Sequence, residues 1–196
     1  MSAAKQHVPP GPTVYVAVVG PDRTGPARGA SGDSATEPPA EVVAAAEEVG
    51  AELARRGAFL VCGGLGGVME AACRGAARHG GQTIGLLPGQ DRAAGNSYLS
   101  VILPTGLGEL RNGLVVAVSD AVIAVGGSWG TLSEIALAVR TCKPTVVLGP
   151  LSWQIDYPGD GYAVADTPRE AADTALRAVS HHVTADKKRS GTGTTG

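Results

Sequence analysis

Short apolar runs recur along the chain, and almost every one stops at glycine. They are "VYVAVVG" (14–20), "AFLVCGG" (58–64), "QTIGLLPG" (82–89), "SVILPTG" (100–106), "DAVIAVGG" (120–127) and "KPTVVLG" (143–149). Each has strand length, is nearly free of charge and is mostly rich in β-branched residues, which predicts strands buried on both faces. Between them the apolar spacing changes to that of a helix. In 39–57 apolar residues recur at Val42, Ala46, Val49 and Leu53 before Gly57, and helices are likewise predicted over 67–80, 108–119, 131–142 and 167–179. "YAVAD" (162–166) reads as a short last strand, and the Gly-, Pro- and Ser-rich stretch 21–38 as a loop.

Strands alternating with helices predict an α/β protein, a doubly wound, Rossmann-like three-layer sandwich around a mostly parallel sheet of about seven strands. In such sheets ligands bind beyond the carboxyl ends of the strands. The Gly-rich turns "CGGLGG" and "VGGSWGT" are both expected on that edge. One domain is expected over 13–182. The flanking segments 1–12 and 183–196 lack apolar runs and are expected to be disordered.

Composition narrows the chemistry. Apolar residues make up 43% of the chain and aromatics only 4%, so the core must be built from Val, Leu, Ile and Ala. The net charge of −2 offers no global field for nucleic acid or anionic lipid, and neither is expected as a partner. The KKR at 187–189 reads as solvated charge. Cys62, Cys73 and Cys142 lack metal-ligand spacing and suit a reducing cytosol. His7, His79, His181 and His182 lie in no ligand pattern with them, so no structural metal is expected. No signal-peptide core opens the chain and no run approaches a membrane span, so a cytoplasmic location is expected.

Three segments carry candidate chemistry. In "GGSWGTLSE" a helix start follows a buried strand. Unpaired amides and the helix dipole there suit a phosphate, and Gly126, Gly127 and Gly130 let the backbone come close to it. Ser128 lies within this turn, and Thr131 can add its hydroxyl. Thr131 and Glu134 also have capping-box spacing, so Glu134 is either a cap or a functional carboxylate. The same spacing in "TPRE" (Thr167, Pro168, Glu170) reads as a cap alone. In "GGLGGVME" the pairs Gly63–Gly64 and Gly66–Gly67 either allow close approach to a ribose-phosphate or only form a tight strand–helix turn, with Met69 as pocket wall or core. This is not the dinucleotide fingerprint, and no acidic residue follows at the position that binds a ribose, which argues against NAD. In "GELRNG" Arg111 and Asn112 open an otherwise apolar helix, where an Arg either is simply an exposed helical residue or reaches a phosphate or polarises a leaving group. Helices 67–80 and 108–119 carry more small apolar residues than one core face needs, which predicts a homodimer or larger homo-oligomer.

The ordered set "CGGLGGVMEAACRGA", "GLLPG" and "TGLGELRNGLVVAVSDAVIAVGGSWGTLSEIALAV" resembles the LOG-like (SLOG) superfamily. Within it the chain is similar to the small bacterial branch once labelled "possible lysine decarboxylase", which also resembles molybdenum cofactor carrier proteins. The resemblance covers roughly residues 13–180. It implies a Rossmann-like domain, a dimer, and cleavage of the N-glycosidic bond of a nucleoside 5′-monophosphate to base and ribose 5-phosphate. The family motif P-G-G-x-G-T-x-x-E maps with Gly126 in place of Pro, Gly127 matched and Ser128 in place of Gly. Trp129 is the variable position, while Gly130, Thr131 and Glu134 match; Arg111 aligns with the Arg of the preceding helix. These departures bear on the hydrolase activity rather than on the anion-binding loop.

The resemblance gives Glu134 the role of stabilising an oxocarbenium-like state or orienting water, and Arg111 that of offsetting charge on base or phosphate. No cofactor is required. Two alternatives need no chemistry: a carrier that binds the pterin phosphate of molybdenum cofactor, and a nucleotide-sensing module. Lysine decarboxylation is excluded, because it needs pyridoxal phosphate on a lysine. Lys5, Lys187 and Lys188 lie in terminal segments, and Lys143 opens a strand at the wrong edge.

Overall fold

The computed structural model describes residues 13–22, 37–149 and 161–190, with side chains through 181. The segments 1–12 and 191–196 and most of the loop 21–38 lie outside the described residues. The strands are β1 (Tyr15–Val19), β2 (Phe59–Cys62), β3 (Thr83–Leu87), β4 (Val101–Pro104), β5 (Ala121–Val125), β6 (Thr145–Leu148) and β7 (Ala163–Ala165). They form one 7-stranded sheet in the order β4-β3-β2-β1-β5-β6-β7. Every pairing is parallel, as the charge-free runs predict.

Period-2 alternation divides each strand between two cores. Val16, Val18, Leu60, Cys62 and Ile123 face helices α1 (Ala40–Arg55), α2 (Gly67–Arg78) and α5 (Pro168–Ser190). Ala17, Val19, Val61, Val122 and Ala124 face α3 (Arg111–Ala117) and α4 (Trp129–Arg140). The result is the expected three-layer, Rossmann-like α/β sandwich. Each fully buried Val, Leu or Ile contributes about 1.5–3 kcal/mol relative to exposure. No helix among the described residues is long and apolar enough to cross a membrane.

Chain direction reverses its progress across the sheet between β1 and β5, which pair with each other although β2 to β4 intervene in sequence. The carboxyl ends of β1, β2 and β5 therefore meet near one crevice. Gly20, just after β1, lies at their junction: a Cβ there would be 2.5 Å from the Val125 carbonyl oxygen and 2.8 Å from Val68 Cβ. Lys143 lies at the opposite edge, where its Nζ donates to the carbonyls of Ala117 and Ser119.

Three elements differ from the pattern reading. The helix expected over 108–119 opens instead with a 3-10 turn, Gly108–Leu110, because Gly108 has a positive φ of 56°. Helix α5 runs to Ser190, so the tail expected to be disordered from 183 is helical to that point; no Gly or Pro interrupts it before Gly191. The small residues of α2 also have an internal use. Ala71, Ala72, Cys73, Gly75 and Ala76 are buried, and glycines let α1 and α2 approach closely. A Cβ on Gly50 would lie 2.8 Å from the Ala72 carbonyl carbon, and one on Gly75 2.7 Å from that of Glu47.

Candidate functional site

The turn after β5 is built by glycine and capped by serine. Gly126 has φ 67°, and a Cβ there would come within 3.0 Å of Val42 Cγ1. After Gly127, Ser128 is extended (φ −146°, ψ 172°) and is the N-cap of α4. Its Oγ accepts the Thr131 amide at 3.2 Å and lies 2.9 Å from Thr131 Oγ1. The helix thus starts at Trp129, two residues before the pattern reading, because the upstream hydroxyl captures the cap. Thr131 is the third helical residue, buried, and Glu134 stands in the second turn, outside any capping box. Among the described residues the amides of Trp129 and Gly130 have no acceptor, as the first turn of a helix leaves them.

Glu134 lies on the same helix face as Gly130 and Thr131 and is only 6% exposed. Burial pushes its carboxyl up to about 7 from the ordinary 4.5; the Arg111 guanidinium opposes that rise, and the Glu109 carboxylate adds to it. A buried carboxyl placed near neutrality is costly and is a frequent mark of function.

Arg111 opens α3 and is 7% exposed. Its Nε is buried without a hydrogen-bond partner. No carboxylate of the described residues lies within 4.0 Å of the guanidinium. The group rests on the other Gly-rich turn: a Cβ on Gly63 would collide with the guanidinium nitrogens and lie 2.5 Å from Cζ. Gly63 is thus the floor under Arg111. Asn112, also buried, reaches Ser133 Oγ at 3.5 Å, and a Cβ on Gly130 would be 3.7 Å from its Nδ2.

The β2–α2 turn serves packing more than the β5–α4 turn does. Gly64 has φ 78° and a Cβ there would meet Leu87 Cδ2 at 2.7 Å. Gly66 is the N-cap of α2, without a capping side chain, and Gly67 has φ 58°. The Val68 amide is already taken by the Pro21 carbonyl at 3.1 Å. Met69, weighed as pocket wall or core, belongs to the core between the sheet and α1–α2. Pattern reading missed two residues here. Gly20 reads only as the end of a strand. Asn96 sits in a polar loop with no periodic signal, yet its Nδ2 donates to the carbonyls of Gly64 (3.3 Å) and Leu65 (3.0 Å) and holds the turn.

The chain is similar to known proteins in sequence and fold. An uncharacterized protein of Archaeoglobus fulgidus is 37% identical over 137 residues, which are 67% of this chain and 83% of that one. The structure is similar to the molybdenum cofactor binding protein of the phototrophic bacterium Rippkaea orientalis, with a TM-score of 0.69 and 27% identity over 88% of this chain and 98% of that one. It is also similar to the molybdenum cofactor carrier protein of Chlamydomonas reinhardtii, with a TM-score of 0.68 and 26% identity over 86% and 99% of the respective chains. Residues 14–179 match the SLOG cluster4 family, and the chain belongs to that family.

Proposed function

We propose that this chain is a small-molecule binding protein that holds a phosphate-bearing, nucleotide-like ligand at the carboxyl edge of the sheet, with the pterin phosphate of molybdenum cofactor as its cargo. The observation that carries this reading is the buried Arg111 Nε without a partner. A phosphate oxygen satisfies that donor, and the open amides of Trp129 and Gly130 supply further donors at the positive end of α4. The likeness to carrier proteins supports the cargo. Calorimetric titration with molybdopterin, AMP and inorganic phosphate tests it. Molybdopterin is expected to bind tightest, and no binding to any of the three would overturn the proposal.

Glu134 favours a second reading, in which the same site hydrolyses a nucleoside 5′-monophosphate. A phosphate alone gains nothing from a buried carboxyl beside it, whereas an oxocarbenium-like state does. Adenine release from AMP is the measurement. If it occurs, Glu134→Gln keeps binding and lowers the rate by about two orders of magnitude or more; if AMP binds and adenine never appears, the carrier reading stands alone.

The assembly is a homodimer or larger homo-oligomer built on α3. The helix hides Arg111 and Asn112, while Leu110 (80%) just before it, Leu114 (37%) within it and Val118 (50%) just after it are exposed at helical spacing. Sedimentation is expected to show a multimer at micromolar concentration that Leu110→Glu with Leu114→Glu dissociates. A wild-type monomer would remove this assignment.

A further inference from the structure

Cys62 and Cys73 lie directly beneath the ligand edge and have no part in the binding just described. Their sulfurs are 3.5 Å apart, both side chains are buried, and Cys62 Sγ also accepts the Gly64 amide at 3.3 Å. Cys62 ends β2, and the next residue, Gly63, is the floor of the Arg111 guanidinium. Cys73 stands on α2, which packs on β2. We propose that this pair is a redox switch for the ligand edge: a small peroxide converts the two thiols to a disulfide, and the closure shifts the Gly63–Gly64 turn under Arg111. The effect on ligand affinity rests on the binding function proposed above; the disulfide itself does not.

The chemistry balances. Cys62 attacks one peroxide oxygen as the thiolate, the O–O bond breaks, and the departing hydroxide takes up a proton as water. Cys73 then attacks the resulting sulfenic sulfur, the S–O bond breaks and a second water leaves. Two thiols lose two electrons and one peroxide gains them. The Cys73 contact and the Gly64 amide hold Cys62 below the ordinary thiol range, and the same contact with burial pushes Cys73 up. The amide that Gly64 donates to Cys62 Sγ stabilises a thiolate there, which makes Cys62 the attacking sulfur. Both sulfurs are buried beneath the turn, so the oxidant must be no larger than a small peroxide and enters as the turn opens. Closing the gap from 3.5 Å to the ~2.05 Å of an S–S bond draws Cys62 Sγ off the Gly64 amide. That amide belongs to the turn that Asn96 pins by its carbonyls.

The test uses the full chain carrying Cys142→Gly. Cys142 is the exposed thiol, and its φ of 56° suits glycine. The folded protein is treated with hydrogen peroxide, unfolded, alkylated and digested for mass spectrometry. The expected result is a Cys62–Cys73 disulfide that dithiothreitol reverses. Amide exchange at Gly63–Gly67 should rise roughly tenfold in the oxidised protein while α4 keeps its protection. AMP affinity should fall roughly tenfold, the scale of one lost hydrogen bond. In Cys73→Ser the sulfenic acid should accumulate on Cys62 and be trapped by dimedone; if that variant does not fold, the other arms still decide. Two free thiols after peroxide treatment would overturn the pair, and a disulfide with unchanged exchange in the turn would overturn the switch. If the reduced protein binds no phosphate probe, the binding function fails while the mass and exchange arms still judge this proposal.

Discussion

Two segments of this chain carry the same four-residue pattern and use it in opposite ways. "TPRE" (167–170) opens α5 and "TLSE" (131–134) lies inside the start of α4. At 167–170 the pattern is a cap. Thr167 Oγ1 accepts the Glu170 amide at 3.2 Å, Glu170 Oε2 accepts the Asp166 amide at 3.1 Å, and both side chains face water. At 131–134 the threonine is already helical and Glu134 is buried, within the field of Arg111, whose buried Nε has no hydrogen-bond partner among the described residues. The difference comes from what precedes each threonine. Before Thr131 stands Ser128, three residues upstream on a glycine-freed turn, and it takes the cap. Before Thr167 no hydroxyl stands at that spacing. A capping box read from sequence is therefore provisional until the residue three positions earlier has been checked for a competing oxygen.

The sharpest way to break this comparison is pH. Glu134 is pushed up to about 7 from an ordinary 4.5. Between those values the folded protein keeps a proton that the unfolded chain has lost. The stability from this group is fully present below pH 4.5 and falls as pH rises through 7, by about 3 kcal/mol. Glu134→Gln has no such loss. Its stability relative to wild type, from urea unfolding, should rise by about 3 kcal/mol between pH 4.5 and pH 8. A pH-independent difference would mean that Glu134 is an ordinary solvated acid like a cap.

The arginines near the two carboxylates give the next contrast. Arg111 is buried behind α4, whereas the side chain of Arg169, inside "TPRE", is 80% exposed. Arg111→Ala should lower the affinity for AMP or molybdopterin roughly 10- to 100-fold, the worth of a charge-assisted hydrogen bond. Arg169→Ala should leave it unchanged. Equal behaviour of the two variants in calorimetry would return the candidate site to a packing role.

Much of this was legible in the sequence, for identifiable reasons. The parallel sheet followed from charge-free β-branched runs, since only strands covered on both faces need them. The shared edge of the two Gly-rich turns followed from parallel direction alone. The burial of Glu134 was not legible, because the frame of a cap depends on which of two hydroxyls reaches the third amide. The contact of Arg111 with Gly63 joins residues 48 apart in number, and no local pattern encodes it. The small residues of α2 suggested an outer interface but are buried within the chain, against α1 and the sheet, which leaves exposed Leu110 and Leu114, at and within the start of α3, to argue for assembly.

The two caps should also separate in degree. Thr167→Ala removes one exposed cap bond and should cost about 1 kcal/mol. Ser128→Ala removes the Thr131 amide's acceptor and the partner of the buried Thr131 hydroxyl. Its cost should approach about 2 kcal/mol. A smaller cost at Ser128 than at Thr167 would show that the hydroxyl pair is not what seats α4.

The smallest effect belongs to Glu170→Gln, and its smallness is what gives it meaning. Glutamine still offers an oxygen to the Asp166 amide, so the hydrogen bond survives. Only the attraction of a negative charge to the first turn of α5 is lost, about 0.3–0.5 kcal/mol at an exposed helix start. Urea unfolding at pH 8 should therefore show Glu170→Gln slightly less stable than wild type, and Glu134→Gln more stable by about 3 kcal/mol, because it has no buried proton to lose. The opposite signs arise because one carboxylate is solvated where a dipole welcomes it, and the other is held away from water. A cost above about 1 kcal/mol at 170 would mean that the exposed cap carries more than an exposed dipole contact can; destabilisation at 134 would mean that the buried charge is stabilised by Arg111 more than burial opposes it.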